Sequence, residues 1–119
     1  MAKKHIDQAT NEQIDYAVAV AQGWKFNESE WSDKNGETII HFFEKYHPTT
    51  DQAQCGKLID KFRINCEANA FSAFSIWKCF IYSQNKKIVN ESRLVAACKA
   101  FLWSKYPDGM IPIQETKNE

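Results

Sequence analysis

The sequence predicts a small α/β domain of the α+β kind: three helices packed as one layer of a sandwich on a mainly antiparallel sheet of about four strands. Three observations carry that expectation. Three apolar stripes recur at helical spacing, the stretches between them alternate or run through β-branched and aromatic residues, and Asn35-Gly36 supplies a hairpin turn. A length of 119 residues is one domain's worth. At that size about two thirds of the unfolded chain's surface can be buried, enough for a core without staples. Residues 1–113 are expected to form the domain, and the polar stretch 114–119 a disordered tail.

The first helix starts at Thr10, where Thr10 and Gln13 fit a capping box. Ile14, Ala17, Val18 and Ala21 then share one stripe, and Gly23 supplies a left-handed stop. Trp24 to Glu30 alternates as a half-buried strand, although Trp31 breaks the period. Beyond Asn35-Gly36, Thr38 to Phe43 reads as the returning strand; Ile39, Ile40, Phe43 and Tyr46 fit one face of a short helix equally well. The second helix is expected to take Thr49 as its N-cap, with Gln52 three residues on and Asp51 complementing the dipole. Its stripe is Cys55, Leu58, Ile59 and Phe62, and Gly56 within it predicts a close approach by a neighbour. Arg63 to Ala68 alternates as a strand. Phe74 to Tyr82 is apolar on both faces, as a central strand or one covered on two sides would be, and a second copy of the chain is one such cover. After a polar turn over 84–87, Asn90 is placed to cap a third helix. Leu94, Ala97, Cys98, Phe101 and Leu102 line that helix, which stops near Tyr106.

Composition excludes several classes of function. Hydrophobic residues at 44% and charged residues at 25% are globular values, and no run approaches the roughly 20 apolar residues of a membrane span. Fifteen basic side chains balance fifteen acidic ones, so no long-range field draws the protein to long nucleic acid or anionic lipid. Cys55, Cys66, Cys79 and Cys98 form no C-x-x-C and lie in apolar stretches, as buried thiols of a reducing compartment do. With no apolar signal peptide after Met1, a cytoplasmic location is expected.

Three stretches resemble NinX-like phage proteins and the related phage ABA-sandwich proteins. Ala21-Gln22-Gly23-Trp24-Lys25 is similar to the "A-x-G-W" that closes their first helix. Tyr46-His47-Pro48-Thr49-Thr50-Asp51-Gln52-Ala53-Gln54 is similar to the "Y-x-P-S-T-D-x-A" that leads into their second. Arg93 to Phe101 with Ser104-Lys105-Tyr106 is similar to their closing helix. In order and spacing these cover most of the chain from Ile14 to Asp108. Gln52 stands where the pattern usually has Trp, Cys55-Gly56-Lys57 replaces a glycine-proline stretch, and no Pro immediately introduces the third helix. The resemblance implies a phage or prophage product, located in the host cytoplasm, with an α/β sandwich fold, and implies no biochemical activity.

No catalytic set emerges from the residues. Thr49, Thr50 and the backbone N–H groups after them make a generic anion site, which the Asp51 carboxylate opposes. His41 and His47 are six residues apart near Asp51 without a second ligand pair, so no metal is expected. Burial should suppress the reactivity of the cysteines, and Glu28 with Glu30 reads as a solvated strand face. No glycine-rich phosphate loop exists, and no cofactor is expected. Trp24, Trp31 and Trp77 could stack a base, with Lys25, Lys34 and Lys57 supplying charge. Core packing is the expected role of Trp24, and Trp31, beside an exposed turn, is expected to contact a partner.

The leading expectation is a non-enzymatic phage accessory protein that binds and modulates a host component, a host protein being the expected partner, as an inhibitor of a host protein or of a defence system. The alternative is a protein that sequesters a nucleotide or nucleotide-like signal. The residues placed in the binding surface are Trp24, Trp31, His47, Thr49, Thr50, Asp51 and Lys57.

Overall fold

Thr10 begins the first helix as its polar side chain requires. Its Oγ1 accepts from the Gln13 backbone N–H at 3.2 Å while Gln13 Oε1 accepts from the Thr10 N–H at 3.0 Å. In the computed structural model, which describes residues 2–27, 30–41, 44–69, 76–81 and 87–114, this helix α1 spans Asn11–Ala21. Gly23, at φ +84°, lets the chain leave it.

A small antiparallel sheet follows, ordered β2-β3-β4, from strands β2 (Lys25–Asn27), β3 (Glu30–Ser32) and β4 (Thr38–Ile40); β1 is the earlier strand Lys3–His5. The single strand expected over 24–30 is therefore two, with Phe26 opposite Trp31. Trp31 breaks the period because the chain has already reversed. The hairpin at Asn35-Gly36 forms as expected, but Asp33 organises it: Oδ1 accepts from the backbone N–H of Asn35 at 2.8 Å and of Glu37 at 3.0 Å. Residues 38–40 are strand rather than helix; Phe42 and Phe43 lie outside the described residues, as does Glu28.

Helix α2 spans Gln52–Phe62, and its N-cap is Asp51, not Thr49: the Asp51 carboxylate accepts from the Gln54 N–H at 2.9 Å. The cap moves two residues along because the N–H groups of Thr50 and Asp51 both donate to the His47 carbonyl, making a turn before the helix. Thr49 sits inside that turn, buried, and its N–H donates to Asp15 Oδ1 of α1 at 2.9 Å. A Cβ on Gly56 would meet nothing within 4 Å, which corrects the close approach expected there.

Arg63, left-handed at φ 53°, turns the chain into β5 (Ile64–Asn69). β6 (Ile76–Ile81) pairs antiparallel with β5 on one side and with β7 (Ile88–Asn90) on the other, so it is the central strand its two apolar faces predict. The ends of the expected 74–82 strand and the polar turn up to residue 86 lie outside the described residues. Helix α3 spans Arg93–Lys105 with Ser92 as N-cap; Asn90, expected in that role, instead accepts from the Ser92 N–H at 2.9 Å. The final strand β8 (Met110–Pro112) pairs with β1. Of the expected tail, residues 115–119 lie outside the described residues.

The described residues thus form an α+β fold with three antiparallel sheets of two or three strands in place of one four-stranded sheet. The larger apolar cluster among the described residues gathers Ile14 and Val18 of α1, Leu58 of α2, and Phe101 and Leu102 of α3, together with Ile6, just after β1, and Ile111 of β8. Phe62 and Phe101 stack at a tilt, ring centroids 4.4 Å apart. A second cluster, of Ala19, Trp31 and Ile40, fastens the hairpin sheet to α1. Cys55, Cys79 and Cys98 are buried as expected, whereas Cys66 is only half-buried. Among the described residues no helix is long and apolar enough to cross a membrane.

Candidate functional site

Gln54, Lys57, Leu58 and Lys61 fall at i, i+3, i+4 and i+7 on α2, so one stripe of that helix carries an amide, two ammonium groups and an apolar side chain. Facing this stripe are Gln22 and Trp24 from the end of α1, Ile39 and Ile40 of β4, and Glu44 and Tyr46 from the segment leading to α2. Together they enclose a cleft of about 320 Å³.

Its walls are held by paired polar groups. The Tyr46 hydroxyl accepts from Gln22 Nε2 at 3.0 Å, and its ring meets Trp24 edge-on at a centroid distance of 4.8 Å. Burial pushes the Tyr46 phenol well above its ordinary range, partly offset by the Gln22 bond, so it stays protonated and keeps an O–H to donate. Gln54 uses both ends of its amide on the same segment: Oε1 accepts from the His47 N–H at 2.7 Å and Nε2 donates to the Lys45 carbonyl at 2.8 Å. The result is an aromatic wall facing two exposed lysines, with Glu44 the one carboxylate among the described lining residues.

Only Trp24 and Lys57 of the residues expected in a binding surface line this cleft. Four others gather at the start of α2 and are occupied with one another. His47 Nδ1 and Thr50 Oγ1 are 2.7 Å apart, His47 Nε2 is 3.9 Å from Asp51 Oδ2, Asp51 caps the helix, and Thr49 is bound to Asp15. With the Asp51 carboxylate on the Gln54 N–H, this helix start is a structural joint rather than an open anion site. Burial raises the pKa of Asp15 at that joint, against the Thr49 N–H bond and the nearby His47 and Lys45.

Trp31 corrects the expectation of an outward contact. It is 7% exposed, packed between Tyr16 and Phe26 with centroid distances of 5.6 and 4.9 Å. Lys25 and Lys34 are exposed but do not line the cleft, and Trp77 lies under the Arg93 guanidinium at 5.7 Å. His41 stands 4.0 Å from Glu30. Among the described residues no group of three or more His, Cys, Asp or Glu side chains is arranged to hold a metal ion.

Sequence reasoning missed Gln22, Tyr46, Gln54 and Lys61 as cleft residues. The α2 stripe was readable from helical spacing one face over from the apolar one, whereas Gln22 and Glu44 carry no local sign of their place.

A family model described as Bacteriophage P22, NinX matches residues 6–105. No curated protein matches the chain.

Proposed function

The chain belongs to the bacteriophage P22 NinX family, and from that premise, which makes it a small phage accessory protein, we propose that it acts by binding a planar, anionic, nucleotide-like small molecule in the cleft between α2 and the hairpin sheet. The observation that carries this reading is the convergence of Trp24 and Tyr46 with Lys57 and Lys61 around one volume of about 320 Å³. That size lies at the lower end of the range of roughly 300–1,000 Å³ typical of small-molecule sites. A base stacks on the indole, the Tyr46 hydroxyl donates to its edge, and the two ammonium groups take the phosphate. Among the described residues of the cleft none is set up as a nucleophile beside a base, and the reading is accordingly sequestration rather than turnover.

Titration of mononucleotides and cyclic dinucleotides, followed by tryptophan fluorescence and calorimetry, tests it. Quenching by at least one of them is expected, with Lys57→Ala and Lys61→Ala each weakening binding about tenfold, equivalent to about 1.4 kcal/mol. Absence of heat and quenching at millimolar ligand, or affinities that ignore both lysines, would overturn it.

A second reading, binding and inhibition of a host protein, is favoured by one observation: Phe26, 39% exposed, lies over Trp31 on β2, an outer strand of its sheet. An edge strand with an exposed ring suits pairing with a partner strand. If this reading holds, Phe26→Asp abolishes host-protein binding and leaves ligand titrations unchanged.

A further inference from the structure

Cys66 of β5 and Cys79 of β6 stand directly opposite one another in their antiparallel pair, with their sulfurs 2.7 Å apart. Opposed residues in such a pair have Cα atoms about 4.5–5.5 Å apart, within the roughly 4.4–6.8 Å that a disulfide spans. The backbone is therefore already in place to join them.

Their surroundings divide the labour. Cys79 is fully buried and Cys66 half-buried, so an oxidant from solvent meets Cys66 first. The Cys79 thiol donates towards the Cys66 sulfur, and Arg93, the first residue of α3, adds a positive charge beside both. That hydrogen bond, helped by Arg93 and opposed by burial, brings the Cys66 thiol down to about 7, while the same bond and burial push Cys79 up. One partner is thus a ready thiolate, and the other holds its proton.

We propose that Cys66 and Cys79 are a reversible oxidation site that hydroperoxides convert to a disulfide. The Cys66 thiolate attacks a peroxide oxygen. The O–O bond breaks, leaving Cys66 as a sulfenic acid and releasing hydroxide, which takes a proton to become water. The Cys79 sulfur then attacks the Cys66 sulfur; the S–O bond breaks and the Cys79 proton leaves with the hydroxide as a second water. Two thiols lose two electrons and one hydrogen peroxide is reduced. This inference rests on neither the cleft nor the edge strand.

The molecule carries its own control, since Cys55 of α2 and Cys98 of α3 are hydrogen-bonded to each other but have no exposed surface. The folded chain is treated with hydrogen peroxide, quenched, unfolded, alkylated with iodoacetamide and weighed. The expected product has lost two hydrogens, takes up two labels rather than four, yields a peptide linking Cys66 to Cys79, and reverts with dithiothreitol. C79S should stop at a dimedone-reactive sulfenic acid on Cys66. Four labels after peroxide, or a link that includes Cys55 or Cys98, overturns the proposal. A measurement without any variant guards against misfolding: alkylation of Cys66 in the native chain should reach half its maximal rate near pH 7, and a midpoint at the ordinary value near 9 counts against it.

Discussion

Asp15 is the residue on which the joint between α1 and α2 turns. It is 7% exposed, and its carboxylate accepts from the Thr49 N–H across 34 positions of sequence. Removing the acceptor leaves that N–H buried and unpaired, so Asp15→Ala should cost about 1–3 kcal/mol in urea unfolding. Asp15→Asn keeps an oxygen and sheds the charge, and should stay within about 1 kcal/mol of the parent. The sign of the pH effect follows from burial raising the folded pKa above 3.8. The contribution of Asp15 to stability is fully present below 3.8 and declines as pH rises through its folded value. The difference between Asp15→Asn and the parent should therefore move in the variant's favour from pH 3.8 towards neutrality, and a gap that stays constant would contradict this. Nothing local marks Asp15 in the sequence, where it reads as one more polar residue on an amphipathic helix. Trp31 misleads in the opposite way. A polar turn beside it suggests exposure, yet the antiparallel pairing of β2 with β3 sets Phe26 opposite Trp31 and lays one ring against the other.

Among elements, the helices were the legible part, because a stripe such as Leu94, Ala97, Cys98, Phe101 and Leu102 repeats its message over several turns. Their caps were less so. Thr49, Thr50 and Asp51 are all good N-cap types, and only the turn closed on the His47 carbonyl decides among them. Asp51→Ala and Ser92→Ala should each cost about 0.5–2 kcal/mol in thermal or urea unfolding, as N-caps do. Asn90→Ala, which loses a bond to a loop N–H rather than to a helix, should cost less than Ser92→Ala; the reverse order would return the cap to Asn90. Strands β1, β7 and β8 escaped the sequence reading for a physical reason. Three residues are too few for alternation to register, and each strand exists through pairing with chain far away or through a neighbour's cover. The cleft divides along the same line: Trp24 and Lys57 were readable as residue types, while Tyr46 and Gln54 acquire their roles only from distant partners.

At the scale of the molecule, α3 is the element on which the others meet, packing against α1, α2 and the β5-β6-β7 sheet. The segment that follows it is equally constrained. Gly109 has φ +78°, and a Cβ there would stand 2.6 Å from both the His5 ring and the Trp103 indole. Gly109→Ala should therefore lower stability by more than about 1 kcal/mol, whereas Gly56→Ala, in the open middle of α2, should raise it by about 0.5–1 kcal/mol. Equal effects would mean that the crowding at Gly109 is relieved at no cost. The pairing of β1 with β8 has a consequence in time. Ile6 and Ile111 lie with no exposed surface in the same core, and Lys4 pairs with Ile111 across the sheet. A growing chain that already holds Ile6 lacks Ile111 until more than a hundred further residues have been added. The core therefore cannot seal until β8 has been made, and its last closure joins the two most distant elements of the fold, a contact that comes late because it must first close the loop of everything between them.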